Sequence, residues 1–536
     1  MPGTVPHRRE VLHVATLTLK LGTGGALPGV LVLPVAGART GDHADTADST
    51  GAAAATDAAD AGTADDAAAD GLGTLLPTTV DLPAELLATL DAYRLDVEHS
   101  GSAGTVHTLP RPGARPRRVL LVGIGAGTEA DWRAVGAAVD RAVTKDRALT
   151  LALPDGTDPA AVAGLAEGML LAHYRFRLAS GPDDNASQLR QVTIATRDPD
   201  RYADALASAR IVAETTCLAR DWTNTPSNDK SPSWLANAVT RQATKYKIRS
   251  RVRDADELRA EGFGGILAVG GGSPRPPRLV ELRWRPRGAT RHVVLIGKGI
   301  TYDTGGIQIK PTSGMQLMRK DMGGAAAVAA ATIGAARLGL NVKITTLLPM
   351  ADNFISGSSY RPGDIVRHYG GLTSEIRNTD AEGRVVLGDA IAYAVRRLAP
   401  DVLIDMATLT GAQGVALGKK IAALYAGDDA LAADLADSAR DAGEPVWRMP
   451  LPDDYVDQVD SDIADLNNAP DPGKAGSVLA ALYLREFTGD LRDRWLHVDM
   501  SGPSWSASAD GVHAKGATGW GVRTLLRYLS GPSDAL

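Results

Sequence analysis

The stretch His292–Pro311 reads HVVLIGKGITYDTGGIQIKP, and its first five residues, His292–Ile296, are the apolar run of a buried strand. Polar and charged residues then crowd into the glycine-rich segment that follows directly. Open α/β sheets bind ligands beyond the carboxyl ends of their strands, so this join marks where a site is expected. Further runs read as strands at Gly265–Val269, Leu279–Trp284, Val342–Pro349 and Val402–Met406, separated by Ala-rich helical segments at Met322–Leu338 and Arg384–Leu398. Strands alternating with helices predict an α/β fold with helices packed on a sheet.

A second α/β series lies upstream. Strands are expected at Val30–Pro34, Val119–Gly125, Leu149–Leu153 and Gln191–Thr196, with helices over Ala130–Asp146 and Pro159–Tyr174. The reading is therefore a first domain over 1–198, a linker helix over 199–222, and a larger domain over 223–536, consistent with a chain too long for one core. Gly41–Asp70 is almost wholly Ala, Asp, Thr and Gly, a composition that buries little and repels itself, and it reads as a disordered acidic insertion. Arg8 and Arg9 precede an apolar stretch, as in some export signals, but Glu10, His13 and Lys20 interrupt it. Val11, Val14, Leu17 and Leu19 read better as a strand. No apolar run reaches the ~18 residues of a membrane span.

The 57 basic and 63 acidic residues leave a formal charge of −6, too mild for a nucleic-acid or anionic-membrane surface. Heavy use of Ala and Gly with only 4% aromatics predicts helices packed closely on small side chains. The single cysteine, Cys217, excludes an internal disulfide framework and a multi-cysteine metal site, and reads as a buried hydrophobe. It fits a reducing compartment, so the expected location is cytoplasmic.

Three loops carry the chemistry. In Gly297–Pro311, glycines flank Lys298 and let the backbone bend beside Asp303; a lysine held this way is a candidate perturbed amine rather than a solvated one. A phosphate loop is excluded because no Ser or Thr follows the lysine and the P-loop spacing is absent. In Arg319–Gly324, Asp321 opens a long helix, and on local evidence a helix cap and a metal ligand weigh equally. In Asn378–Arg384 (NTDAEGR), Asp380 and Glu382 stand at i and i+2, on one side of an extended chain, where a bridging cation would relieve their repulsion. The alternative there is an exposed acidic turn capped by Arg384. Together the loops supply Asp303, Asp321, Asp380 and Glu382 beside Lys298, Lys310 and Arg384, a cysteine-free, oxygen-rich set suited to Mg²⁺, Mn²⁺ or Zn²⁺.

These residues resemble the leucyl (cytosol) aminopeptidase family. NTDAEGR matches that family's signature unaltered, and GKGITYDTGGIQIKP and KDMGGAAAV match its two other site segments in order and spacing. Similarity continues through NTPSN (Asn224–Asn228), YRPGD (Tyr360–Asp364), ATLTGA (Ala407–Ala412), HVDMSGPSW (His497–Trp505) and KGATGWGVRTL (Lys515–Leu525), covering nearly all of 220–530. It is weaker upstream, where RVLLVGIG and LLAHYRF are still similar, and the Gly41–Asp70 insertion departs from the pattern.

The resemblance implies a mixed-sheet, three-layer α/β catalytic domain preceded by a smaller α/β domain, and a homohexamer acting on short peptides with a free N-terminus, leucine and other apolar residues foremost. It implies two divalent ions, Mn²⁺ or Zn²⁺. Lys298, Asp303, Asp321 and Glu382 would hold the tighter one, and Asp303, Asp380 and Glu382 the more exchangeable one. Lys298 would then bind as a neutral amine whose pKa a nearby dication depresses. Lys310 and Arg384 would be the catalytic residues that bind no metal, Arg384 through a bicarbonate. Met318, Asn378, Thr408 and Leu409 fall at substrate-contacting positions. Three alternatives remain at this stage: a nucleic-acid-binding or regulatory protein on the same scaffold, an inactive paralogue, and a metal-dependent phosphoesterase.

Overall fold

The computed structural model describes residues 17–23, 27–37, 71–181, 183, 186–470 and 475–531. The Gly41–Asp70 insertion and the Arg8–Arg9 segment lie outside the described residues. The chain divides into two compact units, one within Ala15–Ala209 and one from Arg210 onward, with Tyr174–Ala179 counting with the second. The helix Ala203–Asn224 carries the chain from one to the other.

In the first unit the strand order is Thr18–Gly22, Gln191–Ala195, Ala148–Ala152, Val30–Ala36, Arg118–Gly123, Val106–Pro110, with Thr74–Leu75 beside Val30–Ala36. Neighbours along this order run parallel except Val106–Pro110, which is antiparallel to Arg118–Gly123. The uninterrupted apolar runs are what such a sheet requires, since residues pointing to either face are covered. Helices Glu129–Ala142 and Pro159–Ala172 start at clear signals: Thr128 and Asp131 form a capping box, and Asp158 caps the second ahead of Pro159.

The second unit is built on a mixed sheet ordered Val446–Arg448, Ala422–Ala426, Trp495–Asp499, Val402–Ala407, His292–Gly297, Lys343–Asn353, Arg278–Trp284, Arg249–Arg253. The four strands from Trp495–Asp499 to Lys343–Asn353 are mutually parallel, and the edges turn antiparallel. Alternate residues of each strand enter two separate cores. Val293, Leu295, Ile404 and Met406 belong to one, Val294, Ile296, Leu403 and Trp495 to the other. A sheet buried on both faces between helices is a three-layer arrangement, as expected. His292–Gly297 is the first of the parallel strands in the chain, and its successors flank it on both sides. The order therefore reverses there, and the crevice beyond its carboxyl end is the natural place for a site.

The Ala-rich helix Gly323–Leu338 lies in the first of these cores, its residues from Gly323 to Ala335 all buried. It approaches the sheet so closely that a Cβ at Gly324 would stand 2.1 Å from Met406 O. Backbone atoms there cannot yield as a flexible side chain would. Gly324→Ala is expected to lower stability by about 1–3 kcal/mol or more, read as a lower denaturant midpoint at constant m. Cys217 is buried and its thiol is pushed up to about 12 by that burial, as suits a core residue.

One expected strand is a helix. Gly265–Val269 lies within the helix Gly264–Gly270. A short apolar run does not distinguish a buried strand from a buried helix turn. Here a distant group decides: the carboxylate of Asp389 accepts the Ile266 N–H at 2.9 Å, satisfying a first-turn donor from outside the segment. No helix of the described residues is long and apolar enough to cross a membrane.

Candidate active site

The strand His292–Gly297 stops at Lys298, and the chain resumes pairing at Gly299–Asp303, further along the neighbouring strand Lys343–Asn353. At the break the Lys298 N–H donates to Met406 O (3.0 Å), while its own carbonyl accepts from Ala325 N–H (2.9 Å). The backbone is thus tied on both sides and the side chain turns into the crevice. Its amine lies 2.9 Å from Asp321 Oδ2 and 2.8 Å from Glu382 Oε1, and donates to Thr408 O at 3.1 Å. A Cβ at Gly383 would come within 2.6–2.8 Å of the end of this side chain, so the glycine in NTDAEGR gives the lysine its room.

Asp321 is not a helix cap. Met322 is the residue before the helix, with no side-chain cap bond, and Asp321 instead accepts from Thr408 Oγ1 at 2.8 Å and faces Lys298. Asp380 and Glu382 do not lie on extended chain either, because Glu382 is the first residue of the helix Glu382–Arg397. They nevertheless converge: ligand oxygens of Asp303, Asp380 and Glu382 all lie within 4.8 Å of one another. Lys310 Nζ stands on the same group, 2.7 Å from Asp303 Oδ2 and 2.5 Å from Asp380 Oδ1. Nor is Arg384 an exposed cap; it is buried in the first turn of that helix.

The loops are locked to one another by side-chain hydrogen bonds. Thr379 Oγ1 donates to Gly305 O (2.7 Å), and the Thr379 N–H donates to Gln308 Oε1 (2.7 Å). Asn353 Nδ2 donates both to Asp303 Oδ1 (2.8 Å) and to Thr379 O (3.0 Å), and Tyr360 OH donates to Thr379 O (2.7 Å). Asn468 Oδ1 accepts the N–H groups of Arg377 and Asn378 at 2.8 and 3.1 Å. Asp499, at the end of its strand, accepts from Leu409 N, Thr410 Oγ1, Ser477 Oγ and Ser501 Oγ, fixing the turn that follows Thr408. Among these, Tyr360 and Asp499 stand inside motifs visible in the sequence, whereas Asn353 does not. It was hidden because the strand expected to end at Pro349 runs on to Asn353.

The electrostatics set the chemistry. Asp303, Asp321 and Glu382 are buried and Asp380 is partly so, giving four carboxylates against the two amines of Lys298 and Lys310. Burial, with Glu382 and Asp321 adding repulsion, pushes Asp303 well above the ordinary carboxylate range, and burial pushes Asp321 up to about 6. Glu382 is held below its ordinary value, because Lys298 and Lys310 outweigh its burial. Burial pulls Lys298 down, yet Asp321, Glu382 and Asp303 outweigh it and hold the amine above its ordinary value. With protein charges alone Lys298 is an ammonium, so the neutral amine that ligation needs depends on cations. The surplus of buried negative charge fits hard divalent cations, as does Glu382 Oε2, which has no hydrogen-bond partner among the described residues.

Beside the cluster opens a cavity of about 260 Å³, lined by Lys310, Asn378, Asp380 and Arg384 on its polar side and by Leu409–Ala412, Ala469, Pro470 and Leu479 elsewhere. Burial draws Arg384 down to about 10, leaving it a cation at neutral pH, and its Nε has no hydrogen-bond partner among the described residues. Of the four expected substrate contacts, Asn378 and Leu409 line this cavity, while Thr408 binds Asp321 and Lys298 behind it. Met318, in the turn Met318–Lys320, does not line it.

A carboxylate cluster short of positive charge, set in the crevice where an α/β sheet reverses its strand order, defines the class as an α/β metalloenzyme. Comparison with known proteins narrows it. The model of the cytosol aminopeptidase family catalytic domain matches residues 217–526, more than half of the chain, and that of the family's N-terminal domain matches 81–178. The chain belongs to the cytosol aminopeptidase family, and it is a metal-dependent peptide hydrolase of the aminopeptidase type.

Similar proteins include one described as "probable cytosol aminopeptidase" from Corynebacterium glutamicum, 41% identical over 461 residues, 84% of this chain and 89% of that protein. Another of the same description from Micrococcus luteus is 42% identical over 475 residues, 84% of this chain and 92% of its own. Among solved structures, the bottromycin maturation enzyme BotP in complex with Mn superposes with a TM-score of 0.75 at 35% identity, covering 84% of this chain and 97% of that one.

Proposed function

We propose that this enzyme removes the N-terminal residue from short peptides using two divalent ions held by five side chains, with Lys310 and Arg384 as catalytic residues. The observation that carries the reading is the convergence of Asp303, Asp380 and Glu382 within 4.8 Å, beside a buried Lys298 that already faces Asp321 and Glu382. Lys298, Asp303, Asp321 and Glu382 would hold one ion, and Asp303, Asp380 and Glu382 the other. Divalent ions bound there supply Lewis-acid polarisation of a carbonyl and an acidified water. Mn²⁺ or Zn²⁺ suits the donor set, and the Mn of the BotP structure supports the first.

The chain's own groups divide the remaining work. Lys310 lies at the junction of cluster and cavity, where its N–H groups can stabilise the charge that develops on the scissile carbonyl oxygen. Arg384 lines the same cavity, and its guanidinium is a fork suited to a planar anion such as bicarbonate that could move the proton from water to the leaving amine. Carboxylate charge beside the cavity favours a protonatable free α-amine, which restricts the enzyme to chain ends. Leu409, Gly411, Ala412, Ala469 and Leu479 offer an apolar wall for the side chain of the residue removed, consistent with leucine and its kin.

The 223–536 domain would carry this chemistry, behind the linker helix 199–222 and the 1–198 domain. A cytoplasmic homohexamer completes the proposal by family resemblance. The test is release of free leucine from Leu-Gly-Gly by purified protein with Mn²⁺, with Zn²⁺ and after chelation, beside the N-acetylated peptide. Metal-dependent release from the free peptide alone is expected. Release of N-acetylleucine from the acetylated peptide at an equal rate would overturn the reading of the α-amine.

A further inference from the structure

Lys230 lies just past the NTPSN motif, beyond the end of the helix Ala203–Asn224. It is fully buried, and no carboxylate stands within ion-pair distance of it among the described residues. Its amine donates to Trp222 O (3.0 Å), Thr223 O (2.9 Å) and Arg319 O (2.6 Å), and lies 3.3 Å from Met322 Sδ. Three carbonyl acceptors match the three N–H groups of an ammonium.

Two of those carbonyls belong to the last turn of the helix, where backbone acceptors lack partners and the helix dipole is negative. A solvated lysine would serve that purpose, and burying an amine with no countercharge is costly. The other two contacts are of a different kind. Arg319 O precedes Asp321 by two residues and Met322 follows it directly, so one amine grips the chain on both sides of Asp321. The intervening Lys320 is pinned separately, its amine donating to Ser501 O at 2.7 Å. Asp321 itself is presented to Lys298 by this short segment, with no cap bond to the helix behind it.

We propose that Lys230 is a positioning residue of the metal centre, clamping Arg319–Met322 to the helix end so that Asp321 meets the ion it shares with Lys298, Asp303 and Glu382. The inference rests on the two-ion reading above, and its test separates the two. Full-length protein stripped of metal is titrated with Mn²⁺ and bound ion is counted, with Asp321→Ala and Asp380→Ala identifying which binding phase belongs to which donor set. In Lys230→Met the Asp321-dependent phase is expected to weaken about 10- to 100-fold while the Asp380-dependent phase holds. Turnover lost at low Mn²⁺ should return at saturating Mn²⁺. Should Lys230→Met fail to fold, Lys230→Gln, which keeps two N–H donors, carries the same comparison. Wild-type affinity in both phases with only a lower melting temperature would overturn the proposal and leave Lys230 a helix cap. So would equal weakening of both phases. Wild-type protein that binds no Mn²⁺ would overturn the two-ion reading before any variant is made.

Discussion

Glu382→Gln should reduce peptide turnover by about 10³-fold or more, since several kcal/mol of transition-state stabilisation depend on ions that this carboxylate would share. The same variant should purify with less bound metal than the wild type. Glu382 is the first residue of its helix and buried, so its side chain is fixed by the backbone rather than by solvent. One oxygen lies 2.8 Å from Lys298, and the other, although buried, has no hydrogen-bond partner among the described residues. Glutamine preserves the shape and removes the charge, so a loss of metal reports electrostatics rather than a cavity. Glu382 is also the carboxylate that both lysines hold ionised, whereas burial pushes Asp303 and Asp321 toward their protonated forms. Metal analysis of the purified variant is decisive: a full complement of two ions would refute the bridging assignment.

How much of this was legible in the sequence differs from residue to residue. The join after His292–Ile296 was visible because an apolar run meets glycines and charge at one point, and the structure breaks its strand at Lys298. Asp321 is undecidable from its neighbours, since a residue at a helix start is equally a cap or a ligand; what removes the cap reading is its contact with Thr408 and Lys298, 87 and 23 positions away. Asp380 and Glu382 do converge with Asp303, but not through a shared side of extended chain. The chain turns into a helix between them, and Thr379, bonded to Gly305 and Gln308, ties their loop to the one that carries Asp303. Gly265–Val269 failed because the donor-satisfying group, Asp389, is more than a hundred residues distant. Asn353 and Asn468 were missed for a related reason. Neutral side chains that hold loops in place carry no local signature, and their importance appears only when their partners are known.

Lys310→Met should retain both ions and lose about 10²- to 10³-fold in kcat, some 2.7–4 kcal/mol, with KM little changed. Lys310 stands 2.7 Å from Asp303 Oδ2 and 2.5 Å from Asp380 Oδ1, so its ammonium competes with a cation for the same oxygens. Removing it leaves the cluster more negative, and metal affinity should hold or rise. A fall in turnover with the ions in place therefore isolates what the ammonium does for the reacting carbonyl. Methionine keeps the length of the stem and fills its space, so the cavity should keep its shape. Two other results would reassign the residue. A rise in KM at unchanged kcat would make Lys310 a substrate-binding group, because it would then hold substrate and transition state alike. Loss of metal would mean that its contacts with Asp303 and Asp380 are needed to orient those carboxylates, and that orientation outweighs the charge it removes.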